Sequence, residues 1–323
     1  MMIARISAND GRDGATLTLK TGSGLVLKAS TAADDGVLDE FYADYDKAFI
    51  LASEKESYAG FVRCLALNAG GAYEGLATRF GAFREYVLTV SDVATGIRIG
   101  GANLIAYPVA RSSAASDAVL AINLNYVFIN AAWRSRGYFK RLVRDLPLAA
   151  LDLLQATNTV KLPISWSTAG GAPPIFMFIE QNDPLRMPAA DYARDTQLTG
   201  LDQLVRIGIW ARLGAKIVDF DYVQPALSPA QSADENLVLA VVGAPGDVLS
   251  ACLLRQHLLR FFAISVLKGG DPITNPTAGP QLAKLQRLCE EGRQVSLLSA
   301  VNLAGEPGAS ASLRSYLARG QGQ

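Results

Sequence analysis

Two groups of side chains in this sequence have the types and spacing to do chemistry. The first is Arg134-Ser135-Arg136-Gly137, set between an alternating apolar run and a run of helical period. If that turn heads a helix, the first backbone N–H groups have no partner inside it, and with the positive end of the helix dipole they can hold a phosphate. Flanking arginines add charge-assisted hydrogen bonds. The second is Glu180, which by period two shares a strand face with Phe176 and Phe178. A carboxylate beside aromatic surface has a raised pKa and is suited to accepting a proton near neutral pH. Plainer readings stand beside both: a strand-to-helix turn with solvated arginines, and an exposed carboxylate at a strand end.

Other reactive types lead nowhere. His257 is the only histidine, lies mid-helix, and has no cysteine or carboxylate at ligand spacing, so it reads as structural. A Ser/His/Asp triad or a histidine metal site would depend on that one residue, and no metal is expected. Cys64, Cys252 and Cys289 are odd in number, far apart and without C-x-x-C spacing. They read as reduced residues of a cytoplasmic protein. Neither a Walker pattern nor a Rossmann glycine fingerprint occurs.

The elements that must position the two groups follow from periodicity. Ile122, Leu124, Tyr126 and Phe128 alternate with Asn123, Asn125, Val127 and Ile129, a strand buried on at least one face. Tyr138, Leu142, Leu146, Ala149 and Leu153 then recur at helical spacing, which predicts a helix starting close to Gly137. Upstream, residues 1–30 suggest a hairpin around Thr21-Gly22-Ser23-Gly24. Residues 34–53 read as a helix with Asp34 or Asp35 as N-cap, and residues 56–67 as a second helix ending before Asn68-Ala69-Gly70-Gly71. Two helices thus precede a β-hairpin formed by residues 86–90 and 97–109, with a bulge or bend near Gly100-Gly101. Residues 111–117 form a polar loop.

Downstream, residues 159–166 or 175–181 supply the next strand, and the second segment is preferred. Residues 184–200 are polar, hold two prolines and suggest an inserted loop. Residues 201–213 predict a helix closed by Gly214, residues 216–223 an alternating strand, and residues 237–242 a last strand. Residues 248–267 and 281–291 look helical, and the last twenty residues look loosely held.

At the turn, the chain resembles the GCN5-related N-acetyltransferase family, whose pyrophosphate loop is (Gln or Arg)-x-x-Gly-x-(Gly or Ala) after a strand and an aromatic. Here Trp133 stands at the aromatic, Arg134 at the first position and Gly137 at the fourth, while Phe139 occupies the sixth, where the family prefers a small residue. The run IWARLGAKIVDFDYVQPAL is similar to the family's closing segment, with Trp210 where a tyrosine is frequent. The order of predicted elements over residues 34–243 agrees. The resemblance implies an α/β (α+β) fold with a mixed, mostly antiparallel twisted sheet flanked by helices, an N-terminal extension over residues 1–33 and a helical extension over residues 244–323.

It also implies a chemistry. A primary amine attacks the thioester carbonyl of acetyl-CoA, or of another acyl-CoA, directly. Arg134, Ser135, Arg136, Gly137, Tyr138 and Phe139 would cradle the pyrophosphate, mostly through main-chain N–H groups. Phe128 and Ile129 would face pantetheine with their backbone, and Asn182 would add a cofactor contact at the end of the fifth strand. Glu180 would be the base, and Tyr222 stands as a substitute acid for the leaving thiolate. The expected acceptor is the amine of a small molecule; a protein lysine, or a non-catalytic acyl-CoA-binding module, are the alternatives. A homodimer fits the family.

Composition sets the frame. The chain has 323 residues, 50% of them hydrophobic and 19% charged, with a formal net charge of zero. That is enough for a substantial core, and the absence of a basic excess leaves no electrostatic footprint for nucleic acid. The N-terminus lacks an apolar signal core, and Arg255, Gln256, His257 and Arg260 interrupt the longest apolar window, so neither export nor a membrane span is expected.

Overall fold

The computed structural model of the chain describes residues 4–7, 16–51, 55–110, 118–157, 172–301, 303 and 310–320. The chain divides into two compact units, one comprising residues 1–50 and 55–175, the other residues 51–54 and 176–323. The fold is α/β, with antiparallel ladders flanked by helices. Among the described residues no helix is long and apolar enough to cross a membrane.

In the first unit, strands β1 (Ala4–Ser7), β2 (Thr16–Lys20), β3 (Leu25–Ser30), β4 (Arg84–Asp92), β5 (Arg98–Ala110) and β6 (Ala118–Ile129) follow one another in antiparallel order. The hairpin of β2 and β3 turns at Thr21, whose N–H and hydroxyl both bond Leu25, as the glycine-rich turn predicts. Helix α1 (Val37–Ala48) starts one residue later than Asp35 as N-cap would place it, and two later than Asp34 would. Gly36, in the left-handed region at φ 79°, is the N-cap, and Asp35 instead accepts the Val37 N–H at 3.1 Å. Helix α2 (Tyr58–Ala66) is capped by Ser57, whose Oγ accepts the Gly60 N–H at 3.0 Å.

Among the described residues three helices, not two, precede β4. Residues Gly70–Phe80 form α3, although Asn68-Ala69-Gly70-Gly71 reads as a loop. The local signal is weak because α3 buries only Leu76 and Phe80. Asn68 fixes the connection by bonding both backbone groups of Glu85, at 2.9 Å each.

The long ladder of β4, β5 and β6 carries the core. Helix α4 (Tyr138–Ala156) buries Leu142, Leu146, Ala149 and Leu153 completely, and it packs on β6. Helix α1 lays Phe41 and Tyr45 into an aromatic cluster with Phe61 and Phe128. The bend expected near Gly100 is a bulge: Val90 pairs with Gly100 and Ser91 with Arg98, so Ile99 is extra on β5. Gly100 is required there, because a Cβ would lie 2.2 Å from the Phe128 carbonyl oxygen.

The second unit holds β7 (Ile175–Asn182), β9 (Leu237–Val242), β8 (Lys216–Val218), β11 (Gln294–Ser299) and β10 (Val248–Ser250), adjacent in that order and all antiparallel. The preferred strand at residues 175–181 is thus present, whereas residues 111–117 and 159–166 lie outside the described residues. The segment expected as a loop contains α5 (Ala189–Thr199), whose one buried residue, Asp195, bonds Gln203 and Arg206 of α6 (Gln203–Arg212). An amphipathic signal is nearly absent there, so sequence periodicity misses it. Asp202 caps α6 by accepting from Leu204 and Val205.

The C-terminal segment contains more than helices. Helix α7 (Ala251–Phe261) continues into a π-helical turn at Phe262–Val266, and α8 (Ala278–Glu290) leads to β11, which pairs with β8. The last residues are not loose throughout: α9 (Leu313–Gly320) buries Leu313 and Leu317. Its first N–H, at Leu313, donates to both oxygens of buried Asp183 at 2.9 Å. The reading of the cysteines is also corrected. Cys252 and Cys289, at facing ends of α7 and α8, form a disulfide with a Cα–Cα distance of 4.6 Å, while the buried Cys64 takes no part in a disulfide. Their spacing of 37 residues gave no hint, since two antiparallel helices bring them together.

Candidate active site

The helix head in the first unit is built by the sequence Asn130–Gly137. After β6, Ala131–Trp133 form a short 3-10 turn, with the Trp133 N–H on the Asn130 carbonyl and the Arg134 N–H on that of Ala131. Ser135 then enters the left-handed region at φ 61°, and Gly137 does so at φ 78° as the N-cap of α4. Ser135 at positive φ is uncommon for a residue with a Cβ, and such conformations gather at functional turns. Backbone bonding resumes with Arg141 N–H on the Gly137 carbonyl, and no side chain caps the helix. Ser135, Arg136 and Gly137 are exposed, at the end of a helix where the first N–H groups have no partner within the helix.

The side chains of the turn brace one another. The Arg134 Nε–H donates to the Ile129 carbonyl at 3.1 Å, tying the turn to the end of β6. The Arg136 guanidinium lies 4.8 Å from the Trp133 ring centroid, and Trp133 meets Tyr138 edge-on. Burial, then the neighbouring Asp92 carboxylate, pushes the Tyr138 hydroxyl above the usual phenol range. Phe139 is half-buried on the second residue of α4.

Phe128 and Ile129 are buried, and they pair with Gly101 and Gly100. Solvent reaches β6 slightly earlier. The strand is buried through Leu124, half-exposed at Asn125, Tyr126 and Val127, then buried again. A second bulge sits at this opening: Asn103 pairs with Tyr126 and Leu104 with Leu124, which leaves Asn125 extra on β6. Bulges leave a residue outside the ladder and often adjoin active sites. The Asn125 Nδ2 donates to Glu85 Oε1 at 3.0 Å and to Asn103 Oδ1 at 2.9 Å, while Asn103 Nδ2 donates to the same glutamate oxygen at 2.7 Å. Sequence reading did not single out Asn125; its only local sign was an asparagine within an apolar strand.

Glu180, Tyr222 and Asn182 belong to the second unit. Strand β7 pairs with β9 without a register shift, so Glu180 does share a face with Phe176 and Phe178. Tyr222 comes after β8, which is only three residues long and not the eight-residue strand that the alternation suggested. Past Val218 the chain leaves the ladder, with the Asp219 N–H on the Ser296 carbonyl and the Phe220 N–H turned back on that of Val218. Tyr222 is nevertheless buried, and its hydroxyl donates to Glu180 Oε1.

A third group joins them. Gln224 Nε2 donates to Glu180 Oε1 at 3.0 Å and to Oε2 at 3.2 Å. Burial pushes the Glu180 carboxyl up to about 7; the Tyr222 bond pulls it back, the Asp234 charge pushes it further up, and the Gln224 bond opposes. Burial, then the Glu180 charge and hydrogen bond, hold the Tyr222 hydroxyl well above the usual phenol range. Chemically this is a carboxylate half-ionised near neutrality with a proton donor already on it. Sequence reasoning placed Glu180 and Tyr222 as separate candidates and missed Gln224, whose signal was its i, i+2 spacing from Tyr222. Asn182 is half-buried at the end of β7, paired with Leu237.

His257 lies fully buried on α7, stacked on Phe178 with ring centroids 3.6 Å apart. Burial, aided by the Arg260 charge, pulls its pKa well below the ordinary value. A neutral imidazole packed on a phenylalanine is a core residue. Trp210 is buried on α6.

No family model matches the chain, and no curated protein matches it by sequence. Solved structures do. The chain is similar to a protein from Bacteroides thetaiotaomicron described as a putative acetyltransferase of the GNAT family, with 14% identity, a TM-score of 0.42, and coverage of 76% of this chain and 99% of that one. It is also similar to one so described from Desulfovibrio desulfuricans, with 8% identity, a TM-score of 0.33, and coverage of 68% and 98%. A third is a mutant of the toxin AtaT bound to the C-terminus of the antitoxin AtaR and acetyl-CoA, with 12% identity, a TM-score of 0.22, and coverage of 67% and 92%. Likenesses this distant do not bear on activity, which must be read from the residues themselves.

Proposed function

We propose that the chain is an acyl-CoA-dependent N-acyltransferase that acylates the amine of a small molecule. The single observation that carries this reading is the Glu180 carboxylate, bonded by Tyr222 and Gln224, with a pKa of about 7. A base poised at the working pH is what removal of an amine proton needs.

The residues of the α4 head fit a pyrophosphate. Ser135 and Gly137 at positive φ turn the backbone sharply, the space at Gly137 is open within 4 Å, and Arg136 adds a positive charge. The N–H groups of Ser135, Arg136, Gly137 and Tyr138 would hold the phosphate oxygens, with Phe139 following in the helix. The half-exposed residues Asn125, Tyr126 and Val127, with the buried pair Phe128 and Ile129 after them, would offer their backbone to the pantetheine arm. Acetyl-CoA, or a longer acyl-CoA, supplies an acyl group activated as a thioester. Glu180 accepts the proton of the acceptor's ammonium group, leaving the nitrogen lone pair free. Tyr222, whose proton already points at Glu180, is the group that can pass a proton on to a leaving thiolate, and Gln224 holds the carboxylate in place as its charge changes.

The test is direct. Thermal stabilisation of the protein by CoA is expected, and its absence would remove the cofactor assignment. Release of free thiol from acetyl-CoA in the presence of a panel of small amines is expected next. If CoA binds and no amine or protein lysine yields thiol, the chain is a binding module and not an enzyme.

A further inference from the structure

We infer that Gln281, on α8, is a positioning residue for the Glu180 site: its carboxamide clamps the peptide of Val223, so that Tyr222 and Gln224 on either side both reach one carboxylate. The inference rests on Glu180 and Tyr222 being the proton-transferring groups.

Tyr222, Val223 and Gln224 are outside the regular strands, so no continuous ladder fixes their register. Gln281 takes over that task. Its Nε2 donates to the Val223 carbonyl at 2.8 Å, and its Oε1 accepts the Val223 N–H at 3.1 Å. A carboxamide facing both groups of one residue imitates a strand neighbour. The same Nε2 also donates to the Thr277 carbonyl at 2.9 Å, one turn back on α8, which ties the clamp to its own helix. Gln281 is 8% exposed, so water does not compete strongly for these bonds.

In extended chain, the N–H and C=O of successive residues point to opposite edges. Val223 therefore turns its pair toward α8, and Gln224 turns its own pair the other way, where both groups bond Asp234 at 3.0 and 2.9 Å. The segment is held from both edges within two residues. Side chains at i and i+2 share a side, which sends Tyr222 and Gln224 together to Glu180. The Tyr222 ring is supported from behind by Phe262, stacked at 6.0 Å, in the π-helical turn. The titratable neighbours of the carboxylate are Tyr222 and Asp234.

The experiment compares Gln281→Leu, which keeps bulk and loses both bonds, with Gln281→Glu, which keeps an acceptor for the Val223 N–H. Gln286→Leu is the control, the same exchange on the same helix at a residue bonded to Glu290. Three readouts are taken on the full chain: amide exchange at Val223, carboxyl titration of carbon-13-labelled Glu180, and the pH profile of turnover. Gln281→Leu is expected to speed Val223 exchange by about tenfold or more. It is expected to raise the Glu180 midpoint by about half a unit, because donors that favour the ionised form are lost. It should lower kcat while leaving KM for acyl-CoA unchanged. Gln281→Glu should recover Val223 protection in part, and it serves as the test variant if the leucine form does not fold. A Glu180 midpoint equal to wild type in a variant whose Val223 amide has been released would overturn the inference. If the wild-type chain turns over no amine yet the midpoint moves, the clamp stands and the catalytic reading falls.

Discussion

Tyr222 and Gln224 both donate to the carboxylate of Glu180, from 42 and 44 residues away in the chain, yet that carboxyl remains protonated up to about pH 7. Two hydrogen bonds to the ionised form lower a carboxyl pKa, so burial must outweigh them, with the nearby Asp234 charge adding to it. The result is a group that changes charge where a general base is useful.

Turnover should follow that charge. With Glu180 ionised in the active form, kcat/KM is expected to rise with pH through a midpoint near 7 and to level off above it. Glu180→Gln keeps an acceptor for Tyr222 and cannot take a proton, so a fall of about 100-fold and a flattened profile are expected. A variant as fast as wild type would rule the residue out as the base.

Stability should follow it in the opposite sense. The folded-state pKa of about 7 lies above the ordinary 4.5, so the folded chain binds the proton more tightly than the unfolded chain between those values. This contribution is full below about pH 4.5, declines as pH rises toward 7, and is absent above. Urea midpoints of wild type and Glu180→Gln, measured at pH 5 and pH 8, should therefore show the variant gaining relative to wild type at the higher pH.

Tyr222→Phe keeps the ring stacked on Phe262 and removes one donor. Loss of a bond that lowers the Glu180 pKa moves the rising limb of the pH profile upward. Turnover on the plateau should drop about tenfold, less than for an obligatory acid because a thiolate leaves readily. An unchanged plateau would leave Tyr222 a purely structural partner.

At the helix head, Gly137→Ala meets no atom within 4 Å, so its cost is conformational only. Holding alanine at φ 78° is expected to cost about 1–2 kcal/mol, read as a lowered urea midpoint. CoA binding should weaken with it as the turn relaxes. Arg136→Ala, at an exposed residue, should weaken CoA about tenfold in low salt with little effect on folding.

The Cys252–Cys289 link closes a loop of 37 residues between α7 and α8. Its reduction, or replacement of both cysteines by serine, should cost about 3–4 kcal/mol in the chain-entropy picture. Since α8 carries Gln281, Val223 amide exchange should quicken in the reduced protein. Equal denaturation midpoints with and without reductant would show the link to be unimportant for stability.

The sequence by itself determined the parts whose causes are local. The hairpin at Thr21, the change of period that separates β6 from α4, the helix start close to Gly137 and the bend at Gly100 are each written in a few consecutive residues. Helices α3 and α5 escaped because they bury one or two side chains each and so carry almost no period. Strand β11 and the disulfide escaped because their partners are chosen by how helices α7 and α8 return the chain.

The site divides in the same way. Glu180 beside two phenylalanines is a local pattern, and it was legible. What makes it a poised base is not local: Tyr222 and Gln224 reach it from beyond α5, α6 and β8, and Gln281 holds their segment from 58 residues further on. Side-chain hydrogen bonds over such separations leave no periodic trace, because nothing in the intervening chain must change to make them. Only tertiary packing, by removing water from one carboxyl and bringing two donors to it, decides at what pH it ionises.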